Sequence, residues 1–102
     1  MQIETSINGD KAVIAVSGKL TVATSPELEA AIQQVDATDT VSSYDIDLAG
    51  LEYISSAGLR VLVGAQKLVD TKGGALCLLH PTDDVMEILE MTGLSEVLTI
   101  ER

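Results

Sequence analysis

The stretch Asp45-Ile-Asp-Leu-Ala-Gly-Leu-Glu-Tyr-Ile-Ser-Ser-Ala-Gly-Leu-Arg-Val-Leu-Val-Gly-Ala-Gln-Lys-Leu-Val-Asp70 decides the fold. Its first part has the period of a strand. Tyr44, Ile46 and Leu48 alternate with Asp45 and Asp47, which puts the apolar set on one face. Ala49-Gly50 breaks that period, and Leu51, Tyr53 and Ile54 carry the chain apolar as far as Ser55-Ser56. From Ala57 onward the period is that of a helix. Leu59, Leu62, Val63 and Val69 fall on one side, with Val61, Ala65 and Leu68 beside them. Arg60, Gly64, Lys67 and Thr71 form a narrow stripe left for solvent. Ser55 or Ser56 is the N-cap, because a serine hydroxyl accepts from a free N–H of the first turn. Lys67 and Lys72 suit the negative pole of the helix, and Gly73-Gly74 supplies its stop.

Upstream, Met1 to Ile7 reads as a first strand, with Ile3 and then Ile7 as its inward candidates. Asn8-Gly9-Asp10-Lys11 is a hairpin signal, since Asn-Gly tolerates the positive φ of such turns. Ala12 to Val16 returns as a nearly continuous apolar strand, hence a central one, ended by Gly18, with Lys19-Leu20 as a further short pairing. Thr21-Val-Ala-Thr24 is a connector. Ser25-Pro26-Glu27 reads as a helix start, with Ser25 as N-cap and proline at the first helical position. Leu28, Ala31, Ile32 and Val35 make the apolar face of a helix over 26–35, and a polar loop follows over 36–43.

Downstream, Ala75 to Leu79 is a buried strand and His80 to Asp84 a turn. A third helix, capped by Thr82 or Asp83, carries Val85, Met86, Ile88 and Leu89 and stops at Gly93. Val97, Leu98 and Ile100 form a last short strand. Crossovers of helix length join parallel neighbours. The expectation is one α/β domain over residues 1–102, with a mixed sheet, an antiparallel edge hairpin and covering helices.

Composition narrows the function. The 102 residues hold no Trp or Phe and only two aromatics, Tyr44 and Tyr53, so the core is built from Leu, Ile, Val, Ala and Met. A formal net charge of -10 argues against nucleic acid and against anionic lipid surfaces, both of which need Lys and Arg. It suits a basic or mixed protein partner. Cys77 is the single cysteine and reads as a small core residue. Met1-Gln-Ile-Glu opens with neither a basic region nor an apolar run, and no segment is long enough to span a bilayer, so a cytoplasmic protein is expected. His80 has no second histidine or cysteine cluster for a metal site, and no nucleophile elbow accompanies any serine. Neither enzyme activity nor a cofactor is expected.

Asp47-Leu48 followed by Tyr53-Ile-Ser-Ser-Ala-Gly-Leu59 resembles the signature of the STAS domain, the module of sulfate transporters and anti-sigma factor antagonists. Gly18-Lys19-Leu20, the stretch Thr24 to Leu28, Pro81 and Met91-Thr-Gly-Leu94 extend the resemblance over nearly the whole chain. It implies a STAS-like mixed sheet. It places Ser56 on the phosphoacceptor, with Ser55 as the less favoured site, Ala57 on the small-residue position and Gly58-Leu59 on the pair that follows. Ser55 stands where many members carry aspartate.

The resemblance further implies a surface made by Ser55, Ser56, Ala57 and Gly58, the ridge of Arg60, Gly64 and Lys67, and the bordering loop with Thr21 and Thr24. Its partners would be an anti-sigma factor, often a serine kinase that brings its own ATP, and a PP2C-type phosphatase. Judged on residue physics alone, two serines before a helix need be no more than caps. The alternative within the family is an unphosphorylated STAS subunit, for instance of an ABC-type lipid transporter, with the same face packed permanently on an ATPase.

Overall fold

The computed structural model describes residues 1–38 and 40–102. A hairpin opens the chain: β1 (Gln2–Asn8) and β2 (Lys11–Leu20) run antiparallel, from Gln2 opposite Ser17 to Asn8 opposite Lys11. Only Gly9 and Asp10 stand between them, and Gly9, at φ 65, supplies the left-handed residue of the turn. Helices and strands then alternate: α1 (Ser25–Asp36), β3 (Ser43–Ile54), α2 (Ser56–Lys72), β4 (Leu76–Leu79), α3 (Asp83–Met91), a 3-10 turn (Leu94–Glu96) and β5 (Thr99–Glu101). The strands lie side by side in chain order, and every pairing after the hairpin is parallel. This is the expected mixed α/β sheet with an antiparallel edge hairpin.

Three successive crossovers step the same way across the sheet. With the usual right-handed sense they bring all three helices to one face. Burial shows which face. Ile14, Ile46 and Leu78 stand in register across β2, β3 and β4 and are wholly buried. Their neighbours Val13, Asp45 and Cys77, also in register, are only partly covered. Leu28, Ile32 and Val35 of α1, Leu59, Leu62 and Val69 of α2, and Val85 and Leu89 of α3 close the core from above. Cys77 therefore lies on the uncovered face and not in the core. Partial burial, with Asp45 and Glu101 nearby, pushes its thiol above the usual pKa.

Several elements differ from the sequence reading. Ala49-Gly50 does not end β3. The pairing shifts register between Ala15–Asp47 and Ser17–Gly50, and the strand continues through this bulge to Ile54. A Cβ on Gly50 would stand 2.8 Å from that of Ser17, so the close approach requires glycine. Gly18 likewise does not end β2; at φ 94 it sits at a second irregularity, after which Lys19 and Leu20 pair with Tyr53 and Ile54. The N-cap of α1 is Thr24 and not Ser25, whose buried hydroxyl donates to the Thr21 carbonyl. Ile7 is exposed, and the last strand starts at Thr99, leaving Val97 exposed and Leu98 buried. The loop expected over 36–43 includes Asp39, which lies outside the described residues; α1 reaches Asp36.

Tyr44 is the aromatic centre of the core, fully buried, and its hydroxyl has no hydrogen-bond partner among the described residues. Burial raises its pKa; Lys72 works against this and Asp36 adds to it. Lys72, at the end of α2, pairs with Asp36 at the end of α1 and donates to the Val41 carbonyl at 3.0 Å.

Candidate functional site

The site forms where the parallel pair β2–β3 ends. Leu20 pairs with Ile54, so the residues that follow each strand emerge side by side. The Ser55 amide donates to the Leu20 carbonyl at 2.8 Å, and β3 turns at once into α2. The loop with Thr21 and Thr24 and the pair Ser55-Ser56 are thus neighbours, as the sequence reading placed them.

The two serines are in opposite states. Ser55 is the N-cap of α2, in extended backbone, and its Oγ accepts the Gly58 amide at 3.2 Å. It is only 8% exposed. Ser56, the first residue of the helix, is exposed, and its Oγ has no hydrogen-bond partner among the described residues. Leu59 N–H bonds the Ser55 carbonyl at 2.9 Å, the first bond of the helical ladder. Among the described residues, the amides of Ser56 and Ala57 are left over at the positive end of a 17-residue helix.

Gly58 is buried and presents nothing to solvent. A Cβ there would lie 2.7 Å from Leu20 Cδ2 and 2.9 Å from Ile54 Cγ1, so glycine lets the first turn of α2 seat on the strand ends. Its part in the site is to fix where Ser56 stands. The loop after β2 is braced from within: Thr21 N–H donates to Thr24 Oγ1 at 2.8 Å, Thr24 N–H returns to Thr21 Oγ1 at 3.2 Å, and Thr24 Oγ1 donates to the Lys19 carbonyl at 2.8 Å. These threonines shape the loop, and both stay partly exposed.

From Ser56 the ridge of Arg60, Gly64 and Lys67 runs exposed along α2. Beside it lies a groove of about 540 Å³ between α1 and α2, lined by Ala57, Arg60, Val61, Gly64 and Ala65 on one side and by Pro26, Glu29, Ile32 and Gln33 on the other. Two residues of this region were not singled out from sequence. Val22, 71% exposed, stands in the loop after β2 and lines the groove. Tyr53, 44% exposed, precedes Ile54-Ser55. The signal for Val22 was a branched aliphatic residue inside the connector Thr21-Val-Ala-Thr24. For Tyr53 there was none, because the second register shift, where Gly18 faces Leu51 and Lys19 faces Tyr53, turns it outward.

The model of the family described as "Mlab, STAS domain" matches residues 3–100. The chain is 29% identical over 100 residues to the anti-sigma-B factor antagonist of Staphylococcus aureus strain NCTC 8325, covering 98% of this chain and 92% of that protein. It is 31% identical over 88 residues to the protein of the same name from Listeria monocytogenes, covering 86% and 76%. Among solved structures, an anti-sigma factor antagonist from Mycobacterium paratuberculosis superposes with a TM-score of 0.86 at 25% identity, over 98% of this chain and 84% of that one. Unphosphorylated SpoIIAA gives 0.85 at 18% identity over 99% and 89%, a likeness of fold. With signature, fold and family match over nearly all its length, this chain belongs to the STAS domain family.

Proposed function

We propose that this chain is an anti-sigma factor antagonist. It is a binding module and not an enzyme, it acts in the cytoplasm, and it holds an anti-sigma factor of the serine-kinase type while Ser56 carries a free hydroxyl. Phosphate on Ser56 ends the capture, and a PP2C-type phosphatase restores it. ATP belongs to the kinase. The names of the relatives support the antagonist role, and one observation carries the switch. Ser55 has its hydroxyl buried in a cap, while Ser56 offers an exposed hydroxyl that no internal bond needs.

Modification of Ser56 therefore breaks nothing in the fold. The phosphate meets the unused amides at the helix start, which favour an anion. What changes is the surface, by about 1.5 to 2 negative charges. A partner fitted to a neutral hydroxyl then faces repulsion and desolvation, and each 1.4 kcal/mol is about a tenfold loss of affinity.

A second reading keeps the same face but packs it permanently on an ATPase subunit, as in an ABC-type lipid transporter. The serine at position 55, where many members carry an acid, is the observation that favours it.

The test is to incubate the chain with the serine-kinase anti-sigma factor from the same genome and ATP, and to map the product by mass. A single phosphate on Ser56, absent from Ser56→Ala and present on Ser55→Ala, supports the switch. Complex formation that survives Ser56→Asp unchanged, or a chain from native cells that is unmodified under every growth condition, overturns it in favour of the permanent subunit.

A further inference from the structure

Gly64 lies in the middle of α2, exposed, at a place where the fold itself has no use for a glycine. Its backbone is not in the left-handed region, and a Cβ built on it would meet nothing within 4 Å. The other glycines either hold positive φ or have a neighbour inside 3.0 Å of that position. A glycine inside a helix is less favourable than alanine because it gives up more backbone freedom on folding. A residue that weakens its own helix without serving its own packing points to something that approaches from outside.

Gly64 lines the groove between α1 and α2, whose floor is Ile32, Val61, Ala65 and Leu68. The groove begins at Ala57, the residue after Ser56, so it is continuous with the proposed capture surface. Its two lips differ in charge. Glu29 stands on the α1 lip, and on the α2 lip stands Arg60, which is in no ion pair among the described residues.

We infer that the groove receives apolar side chains of the anti-sigma factor. They are carried on a segment that passes close over the backbone at Gly64, with a basic residue facing Glu29 and an acidic one facing Arg60. This rests on the antagonist reading above and adds a second anchor to it, separate from the Ser56 hydroxyl. The groove selects which anti-sigma factor is held, and Ser56 sets when it is released.

The experiment is calorimetric titration of the serine-kinase anti-sigma factor from the same genome into wild type, Gly64→Ala, Gly64→Leu and a control, Glu87→Ala on α3. Open space above Gly64 means that all variants fold, and Gly64→Ala melts about 3–8 °C higher than wild type, as a better helix former should. Affinity is expected to fall about tenfold for Gly64→Ala and by more for Gly64→Leu, with Glu87→Ala unchanged. Wild-type affinity in both Gly64 variants overturns the groove and leaves the antagonist reading standing. No binding by wild type to any anti-sigma factor of its genome overturns both. A small apolar molecule retained by the free protein and lost in Gly64→Leu, or a dimer lost in that variant, overturns the inference in favour of a ligand site or self-association.

Discussion

The Ser55 amide donates to the Leu20 carbonyl at 2.8 Å, and through this bond the end of β2 holds the start of α2. The bond continues the pairing of Leu20 with Ile54 by one residue past the strand ends. Ser55 then caps the helix with its side chain, and Ser56 is carried out to solvent as the first helical residue.

Ser55→Ala and Ser56→Ala should therefore separate cleanly in stability. The first leaves the Gly58 amide without its acceptor in a buried place, a loss of about 1 kcal/mol that lowers Tm by about 4–8 °C. The second removes a hydroxyl that bonds nothing among the described residues and should move Tm by less than about 2 °C. Thermal unfolding of both variants, followed by circular dichroism, checks the pair.

Ser56→Asp should stabilise the free protein even as it weakens capture of the anti-sigma factor. A carboxylate in the first turn of α2 faces the positive end of the helix and gains about 0.3–1 kcal/mol. The gain shrinks as salt screens it. Urea unfolding in low and high salt reads both effects; a destabilised Ser56→Asp would contradict an open, anion-tolerant helix start.

Gly58→Ala and Gly74→Ala should both destabilise, and the second more. At Gly58 the added methyl presses on the buried side chains of Leu20 and Ile54, a strain of about 1–3 kcal/mol. At Gly74 it would fall 1.7 Å from the Ser42 carbonyl oxygen, and backbone cannot yield as a side chain does. Urea midpoints rank the two. Capture of the partner should suffer in Gly58→Ala beyond its stability loss, because that glycine fixes the height of Ser56.

Tyr44→Phe should stabilise the protein by about 1 kcal/mol, since the phenol oxygen is buried without a partner among the described residues. It should also change the alkaline limb. Burial raises the Tyr44 pKa in the folded state, so the unfolded chain ionises first. Below about pH 10 the phenol is neutral in both states and pH has no effect through it. Above that, the unfolded chain binds fewer protons and stability falls as pH rises. Wild type should lose stability there, and Tyr44→Phe should keep more of it, as urea midpoints on both sides of pH 10 would show.

The sequence by itself determined the elements, their order and most of their ends. Alternation in Tyr44, Ile46 and Leu48, the helical spacing of Leu59, Leu62 and Val69, a serine cap before α2 and the stop at Gly73 are local properties. Local backbone geometry and nearby hydrogen bonds are enough to express them. The STAS signature itself is legible for the same reason, as one strand, one turn and one helix start.

Tertiary structure alone decided what depends on register between strands far apart in the chain. The bulge opposite Ala15 and Ser17 keeps β3 running past Ala49-Gly50, and the second register shift, opposite Gly18 and Lys19, turns Tyr53 outward. The stepwise strand order leaves one sheet face uncovered and puts Cys77 there. Packing of α1 beside α2 made the groove and brought Val22 to it. The choice between two adjacent serines was of this kind too. Either one can cap a helix, and only the pairing of Leu20 with Ile54, extended to the Ser55 amide, buries the first hydroxyl and exposes the second.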